Sequence, residues 1–256
     1  MSDPHAFSEA RAQWLAEMDG LNVAISAHPG MRARTLWDEI VRSLNIFERN
    51  ALELTALLAE VETNAQLQMT VFAQPGSDSD NVRTDYYQQL DQRLANFVSS
   101  LAALIDHTRR AMSSYAGSAL AEEFAERNGL VRDMPSAGFL RQLRNMLLHR
   151  GGAPLGVRLH LQGQKPRNPS EPAAALELDC ERLLEWDRWR ASDKEYIRAA
   201  EPSVRLLDPV AATYFGIKDL YYWLGEAVNT WHADDFAAVN ALISRTHEMS
   251  DRGAPA

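Results

Sequence analysis

Apolar residues recur at alternating spacings of three and four positions along residues 37–72. The members of this run are Trp37, Ile40, Leu44, Phe47, Ala51, Leu54, Leu58, Val61, Ala65, Gln68 and Phe72, among which only Gln68 is polar. On a helix of about 3.6 residues per turn, this spacing places all members in one stripe. The pattern therefore predicts one long helix over residues 37–72, packed along that stripe against a partner element.

A second run with the same spacing follows residues 74–81, where proline, glycine and small polar residues predict a turn. Its members are Leu90, Leu94, Phe97, Leu101, Leu104, Thr108, Ala111 and Tyr115. Two long amphipathic helices joined by a short link pack side by side in opposite directions. We therefore predict an antiparallel helical hairpin over about residues 33–116.

Two shorter helices are predicted beyond the hairpin. The first covers residues 119–128 and ends near Gly129. Ser136 is a candidate N-cap for the second, over residues 136–150, because its hydroxyl can accept from a free backbone amide of the first turn. Gly151 is a natural stop for this second helix.

The spacing then changes to strict alternation, which predicts a small β-hairpin over about residues 154–180. Its apolar positions are Leu155, Val157, Leu159, Leu161, Leu176, Leu178 and Cys180.

Helical spacing returns over residues 180–249, including an apolar segment from about Val204 to Trp231. The predicted fold class is mainly α, a helical bundle with a long antiparallel helical hairpin and a small β-hairpin insertion. We expect one domain over residues 1–256.

Composition narrows the class of protein. The net charge of −9 argues against a surface built to coat nucleic acid, but it permits a local basic cleft. Cys180 is the one cysteine, which excludes an internal disulfide framework and a multi-cysteine zinc site. The start of the chain has no basic-then-apolar leader, and no uncharged apolar run reaches the roughly 20 residues of a membrane helix. We expect a cytoplasmic protein that has no membrane partner and no cofactor.

The helix over residues 136–150 carries polar residues within an otherwise apolar segment. Arg141, Asn145 and His149 are spaced by four and form one stripe, with Arg144 at its border. Arg144 and His149 lie about 140° apart around the helix axis. A shared ligand therefore requires Arg144 to bend around the helix, or a second copy of the chain to complete the site. The opposite side holds Phe139, Leu140, Leu143, Met146 and Leu147.

Residues 144–149, with the sequence RNMLLH, carry a resemblance to a known family. An arginine followed directly by asparagine, with histidine after four intervening residues near a helix end, resembles the motif of the HEPN superfamily of nucleotide-binding and RNA-cleaving domains. The resemblance covers this hexapeptide and its helical context.

The resemblance implies a metal-independent endoribonuclease that acts on RNA as a homodimer with the two motif helices face to face. It implies that His149 is the general acid and base and that Arg144 holds the scissile phosphate. It also implies that Asn145 orients either His149 or the phosphate. Arg141 and Arg150, on the same helix, are predicted to contact the substrate. The biological role it implies is a toxin or phage-defence effector, controlled by a protein antitoxin or regulator.

The chemistry is also consistent with the side chains themselves. Cutting RNA without a metal needs a proton acceptor for the ribose 2′-hydroxyl and a cation beside the charged phosphorane. Imidazole and guanidinium supply these two functions.

Two other interpretations of the sequence stay open. Cations near a helix C-terminus are favoured by the helix dipole, which accounts for His149 and Arg150 without catalysis. The chain is then a non-catalytic HEPN-like module that binds RNA, a nucleotide or a protein partner, or a dimerisation module built on the helical hairpin.

Overall fold

The computed structural model describes residues 4–71, 80–150, 155–159 and 174–255. Its described part is mainly helical, as predicted. The helices are α1 (Pro4–Ala27), α2 (Pro29–Thr63), α3 (Ala65–Val71), α4 (Asp80–Met112), a short 3₁₀ helix (Ser113–Tyr115), α5 (Ala119–Arg132), α6 (Pro135–Arg150), α7 (Cys180–Leu184), α8 (Ala191–Ala199), α9 (Leu207–Trp231) and α10 (Ala233–Arg252). The strands are β1 (Leu155–Leu159), β2 (Ala174–Asp179) and β3 (Ser203–Arg205). Within the described ranges, no helix is both long and apolar enough to cross a membrane.

Internal contacts divide the chain into two units, one of residues 1–41 with 223–256 and one of residues 42–222. The boundaries fall inside α2 and α9. The expectation of one domain over residues 1–256 stays a prediction.

In the first unit, α1 packs against α10, an element pair that the sequence patterns did not predict. The Trp14 indole Nε1 donates to the carbonyl oxygen of Met249 at 3.4 Å. The start of α2 also approaches α10 closely, since a Cβ at Gly30 would lie 2.6 Å from the carbonyl oxygen of Asp235. Only glycine permits this approach without a shift of the backbone.

The predicted helical hairpin is confirmed in the second unit, where α2 from Ser43 onward lies antiparallel to α4. The rings of Phe47 and Phe97 are 5.4 Å apart, and the Tyr86 hydroxyl donates to the carbonyl oxygen of Leu57 at 2.9 Å. Residue numbers on α4 fall as those on α2 rise, which defines the antiparallel direction. The buried stripes are the predicted ones, at Phe47, Ala51, Leu54, Leu58, Val61, Leu90, Leu94, Phe97, Leu101, Leu104, Thr108 and Ala111.

The prediction of one unbroken helix over residues 37–72 is wrong. α2 ends at Thr63, and the side-chain oxygen of Asn64 accepts from the amides of Gln66 and Leu67, both at 3.1 Å. This capping starts a new helix, α3, and leaves Ala65 exposed rather than in the stripe. Phe72 and most of the turn predicted at residues 74–81 lie outside the described residues.

The predicted β-hairpin is confirmed and belongs to a three-stranded antiparallel sheet in the order β1-β2-β3. Leu155 pairs with Leu178, and Leu178 pairs with Val204 on its other side. Val204 was predicted to be helical, and Cys180 was predicted to be in a strand. Cys180 instead begins α7, because the Asp179 side chain caps that helix by accepting from the amide of Arg182 at 2.9 Å. Leu161 lies outside the described residues.

Two helix ends also differ from the prediction. α5 continues through Gly129 to Arg132; its start at Ala119 is as predicted, with the hydroxyl of the N-cap residue Ser118 accepting from the amide of Ala121. Ser136 is not a cap. It lies inside α6, which begins at Pro135, and its buried hydroxyl accepts from Thr213 Oγ1 at 3.3 Å.

Candidate functional site

The apolar side of α6 holds this helix in the second unit. Phe139, Leu140, Leu143 and Met146 are all buried, and the Phe139 ring stacks on Trp189 with ring centres 5.5 Å apart. Because this side is fixed by packing, the positions of the α6 arginines follow from the helix period. Their backbones have little freedom to move relative to the surrounding helices.

A cavity of about 380 Å³ lies among α4, α5, α6 and the part of α9 within this unit. Arg141, Arg144 and Asn145, three of the residues predicted to form the site, line it together. Arg132 and Asp106 add charge to the same cavity, and aliphatic side chains form much of the remaining wall. We call this space the Arg144 cavity.

Arg144 is half-buried, and its Nε atom is buried without a hydrogen-bond partner among the described residues. A buried donor without an acceptor costs about 1–3 kcal/mol, more when it carries charge. Such an atom is therefore uncommon in a folded protein unless a water molecule or a ligand satisfies it. Arg144 also lines the cavity, so an anion bound there would lie beside this side chain.

Asn145 is half-buried beside Arg144, and its side-chain nitrogen donates to the Gln142 oxygen at 3.2 Å. Gln142 lies three residues before Asn145 on α6 and is buried. It acts here as the support for Asn145, since the hydrogen bond fixes which way the amide of Asn145 is turned.

Arg141 Nη2 donates to the backbone carbonyl oxygen of Arg132 at 2.9 Å. Burial lowers the pKa of the Arg141 guanidinium, and the nearby positive charge of Arg190 lowers it further. Arg132 and Arg141 also line a second, neighbouring cavity of about 580 Å³, together with Arg190. Acidic residues balance the arginines of that second cavity, at Asp133, Asp193 and Glu195.

The Arg144 cavity is a basic site on an acidic chain. Three arginines line it against one acidic residue, Asp106, while the whole protein has a formal net charge of −9. Asp106 forms an exposed ion pair with Arg109 at 3.1 Å, and Arg132 forms one with Asp133 at 2.9 Å. Arg132 and Asp106 are each paired with an opposite charge, so Arg141 and Arg144 are the arginines of this cavity whose charge favours an anionic ligand there.

His149 does not share this cavity within one chain. It is exposed on the last turn of α6 and is not among the residues that line the Arg144 cavity. The backbone of Arg150 ends α6, and its side chain lies outside the described structure. The structure therefore brings together Arg141, Arg144 and Asn145, and it places His149 on the surface beyond them.

Sequence patterns did not identify the residues that other helices contribute to the cavity. Arg132 and Asn128 come from the end of α5, and Asp106 comes from α4. Arg132 lies three residues after Gly129, where the sequence predicted that the helix ends. If the predicted helix had been extended through Gly129, Asn128 and Arg132, which are four residues apart, would have been placed on one face of it.

In the part of the chain that the structure describes, no three His, Cys, Asp or Glu side chains lie close enough together to hold a metal ion. Comparisons with protein families, with curated proteins and with solved structures find no match to this chain. The site must therefore be interpreted from its own geometry.

Proposed function

We propose that this chain is a metal-independent endoribonuclease of HEPN type, in which Arg144 binds the scissile phosphate and His149 transfers the proton. The observation that carries the proposal is the buried Arg144 Nε atom, which lacks a partner among the described residues at a cavity lined by two further arginines. A guanidinium presents donors in a fixed fork that fits two phosphate oxygens. Asn145, held by Gln142, supplies a neutral hydrogen-bonding group beside it.

In the proposed reaction, the imidazole of His149 accepts the proton of the ribose 2′-hydroxyl. The 2′-oxygen then forms a bond to phosphorus while the bond from phosphorus to the 5′-oxygen breaks. The leaving 5′-oxygen takes up a proton from water or from the imidazole of a second copy of the chain. The products are a 2′,3′-cyclic phosphate and a 5′-hydroxyl, and the Arg144 guanidinium stabilises the charge that builds on the phosphate.

The position of His149 favours a site shared by two copies of the chain. His149 is exposed at the end of α6, while Arg144 faces the cavity further back along the same helix. A two-fold dimer with the two α6 helices opposed would bring His149 of one copy toward Arg144 of the other. The homodimer is part of the proposal, as is a cytoplasmic role as a toxin or defence effector under an antitoxin or regulator.

The second candidate function is a non-catalytic module that binds RNA or a nucleotide. His149 does not line the Arg144 cavity, so the proton acceptor and the cation are not in one cavity of a single chain. This separation favours the non-catalytic module. This module would use Arg132, Arg141 and Arg144 to bind a phosphate and would leave RNA intact.

The two candidates are separated by an RNA-cleavage assay in EDTA with Arg144→Ala and Arg144→Lys. We expect the wild type to cut RNA, Arg144→Ala to lose about 100-fold or more in rate, and Arg144→Lys to recover little because it lacks the planar fork. Arg49→Ala, at an exposed arginine of α2 in the same unit, is the matched control and should keep the full rate. Binding of RNA without cleavage by the wild type would favour the second candidate.

A further inference from the structure

The Arg144 cavity has an aliphatic wall that a phosphate group does not need. Leu101 and Ile105 of α4, Leu140 of α6 and Ile217 of α9 form part of it. The cavity volume of about 380 Å³ is in the range of small-molecule sites, which begins at roughly 300 Å³. A ligand that fills the whole space must therefore have both an anionic and an apolar part.

Polar groups are set into this wall at separate places. Asn128 and Asn145 both line the cavity, and an amide side chain offers donors and an acceptor in one plane. Thr213 lines the cavity as well, but this residue is fully buried and its hydroxyl already donates to Ser136. Two amides beside an aliphatic surface suit a flat heterocycle with donors and acceptors on its edge.

We propose that the aliphatic wall binds the base of the nucleotide next to the phosphate held by Arg144, so that the enzyme selects its cleavage position by that base. The inference rests on the proposed function, because it assigns a base subsite to the same cavity. Enzymes that take a base out of its stack hold it between apolar side chains and bind its edge by hydrogen bonds. Asn128 is the specificity-determining residue, since it lines the cavity from α5 and lies outside the RNMLLH motif.

The first test compares the binding of inorganic phosphate with that of the four nucleoside 5′-monophosphates to the full chain by titration calorimetry. At least one monophosphate should bind about tenfold more tightly than phosphate, since base contacts add to the phosphate contacts. Ala102→Leu, which adds bulk to the cavity wall, should remove this gain and leave phosphate binding unchanged. Ala103→Leu, at the exposed next residue of α4, is the matched control and should keep the gain.

A second variant keeps the test informative if Ala102→Leu does not fold. Asn128→Asp, at a half-buried position, replaces the two amide donors with acceptors and should change which of the four monophosphates binds most tightly. An unchanged order of the four would contradict the base subsite, as would equal affinity of all four and of phosphate.

The outcomes separate this inference from the proposed function. If the chain binds a monophosphate with the expected gain but does not cut RNA, the base subsite stands and the ribonuclease proposal fails. If the chain cuts RNA but gains nothing from the base, the ribonuclease proposal stands and the base subsite fails.

Discussion

Arg141 Nη2 donates a hydrogen bond to the backbone carbonyl oxygen of Arg132 at 2.9 Å, which joins the first half of α6 to the last residue of α5. The bond holds the two guanidinium-bearing residues at the walls of the same two cavities. Burial and the nearby Arg190 lower the pKa of Arg141, so its positive charge is disfavoured in the free protein. An anion bound beside the guanidinium would stabilise its charged form.

Arg141→Ala should therefore weaken RNA binding, and it should do so in a salt-dependent way. For a cation that contacts one phosphate, its loss lowers the slope of log affinity against log salt concentration by about one. Binding titrations at several salt concentrations measure this slope, and Arg49→Ala on the exposed side of α2 is the control. A slope that stays the same in Arg141→Ala would show that Arg141 does not contact the RNA backbone.

Arg144→Met should stabilise the free protein while it abolishes function. The Nε atom of Arg144 is buried without an acceptor among the described residues, and methionine fills a similar volume without a polar atom. Removing a cost of about 1 kcal/mol raises the melting temperature of a chain this size by roughly 2–4 °C. Thermal unfolding measures the shift, and Arg49→Met should change the melting temperature little. A lower melting temperature in Arg144→Met would assign Arg144 a structural role.

Asp91→Asn should stabilise the protein at neutral pH and less so in acid. Asp91 Oδ1 is buried and lacks a partner among the described residues, and burial raises the pKa of this carboxyl. Because its pKa is higher in the folded state, the ionised carboxylate costs stability above the folded pKa, and that cost disappears as the pH falls below the unfolded pKa. The neutral amide avoids the cost at every pH.

Urea unfolding at pH 7 and at successively lower pH tests the Asp91 prediction against Asp85→Asn, an exposed carboxylate on the same helix. The stability gap between Asp91→Asn and the wild type should narrow on acidification. A gap that widens in acid would mean that a partner stabilises the ionised form of Asp91.

Mixing two inactive variants tests whether the site is shared between copies. If Arg144 of one copy acts with His149 of the other, a dimer of one Arg144→Ala chain and one His149→Ala chain contains one intact site of two. Random exchange then restores about a quarter of the wild-type RNA-cleavage rate. No recovery after verified exchange would place both residues of a working site in the same chain.

Periodicity was sufficient to predict the hairpin, because Phe47, Leu54, Leu94 and Phe97 are buried on the stripe that their spacing defines. It failed at Asn64, where one side chain caps a new helix while the three-and-four spacing continues across the break. A capping bond depends on local backbone geometry, which an apolar pattern does not record. The strand at Val204 was missed for a related reason, since three residues are too few to show alternation.

The candidate site was predictable only in the part that lies on one helix. Arg141, Arg144 and Asn145 belong to one short segment, so the helix period alone groups them. Asn128 and Arg132 reach the cavity from α5, through packing that no single segment encodes. His149 is exposed because it lies on the last turn of α6. The sequence left open whether Arg144 reaches a shared ligand within one chain or a second copy of the chain completes the site.

The central claim is that Arg144 and His149 together cut RNA without a metal. The most direct measurement is the rate and end-group chemistry of RNA cleavage in EDTA by the wild type, His149→Ala and the exposed-histidine control His247→Ala. The account predicts 2′,3′-cyclic phosphate ends from the wild type and the control, and a rate lower by about 10²–10⁴-fold in His149→Ala. Cleavage by His149→Ala at the wild-type rate, or no cleavage by the wild type under any of these conditions, would contradict it.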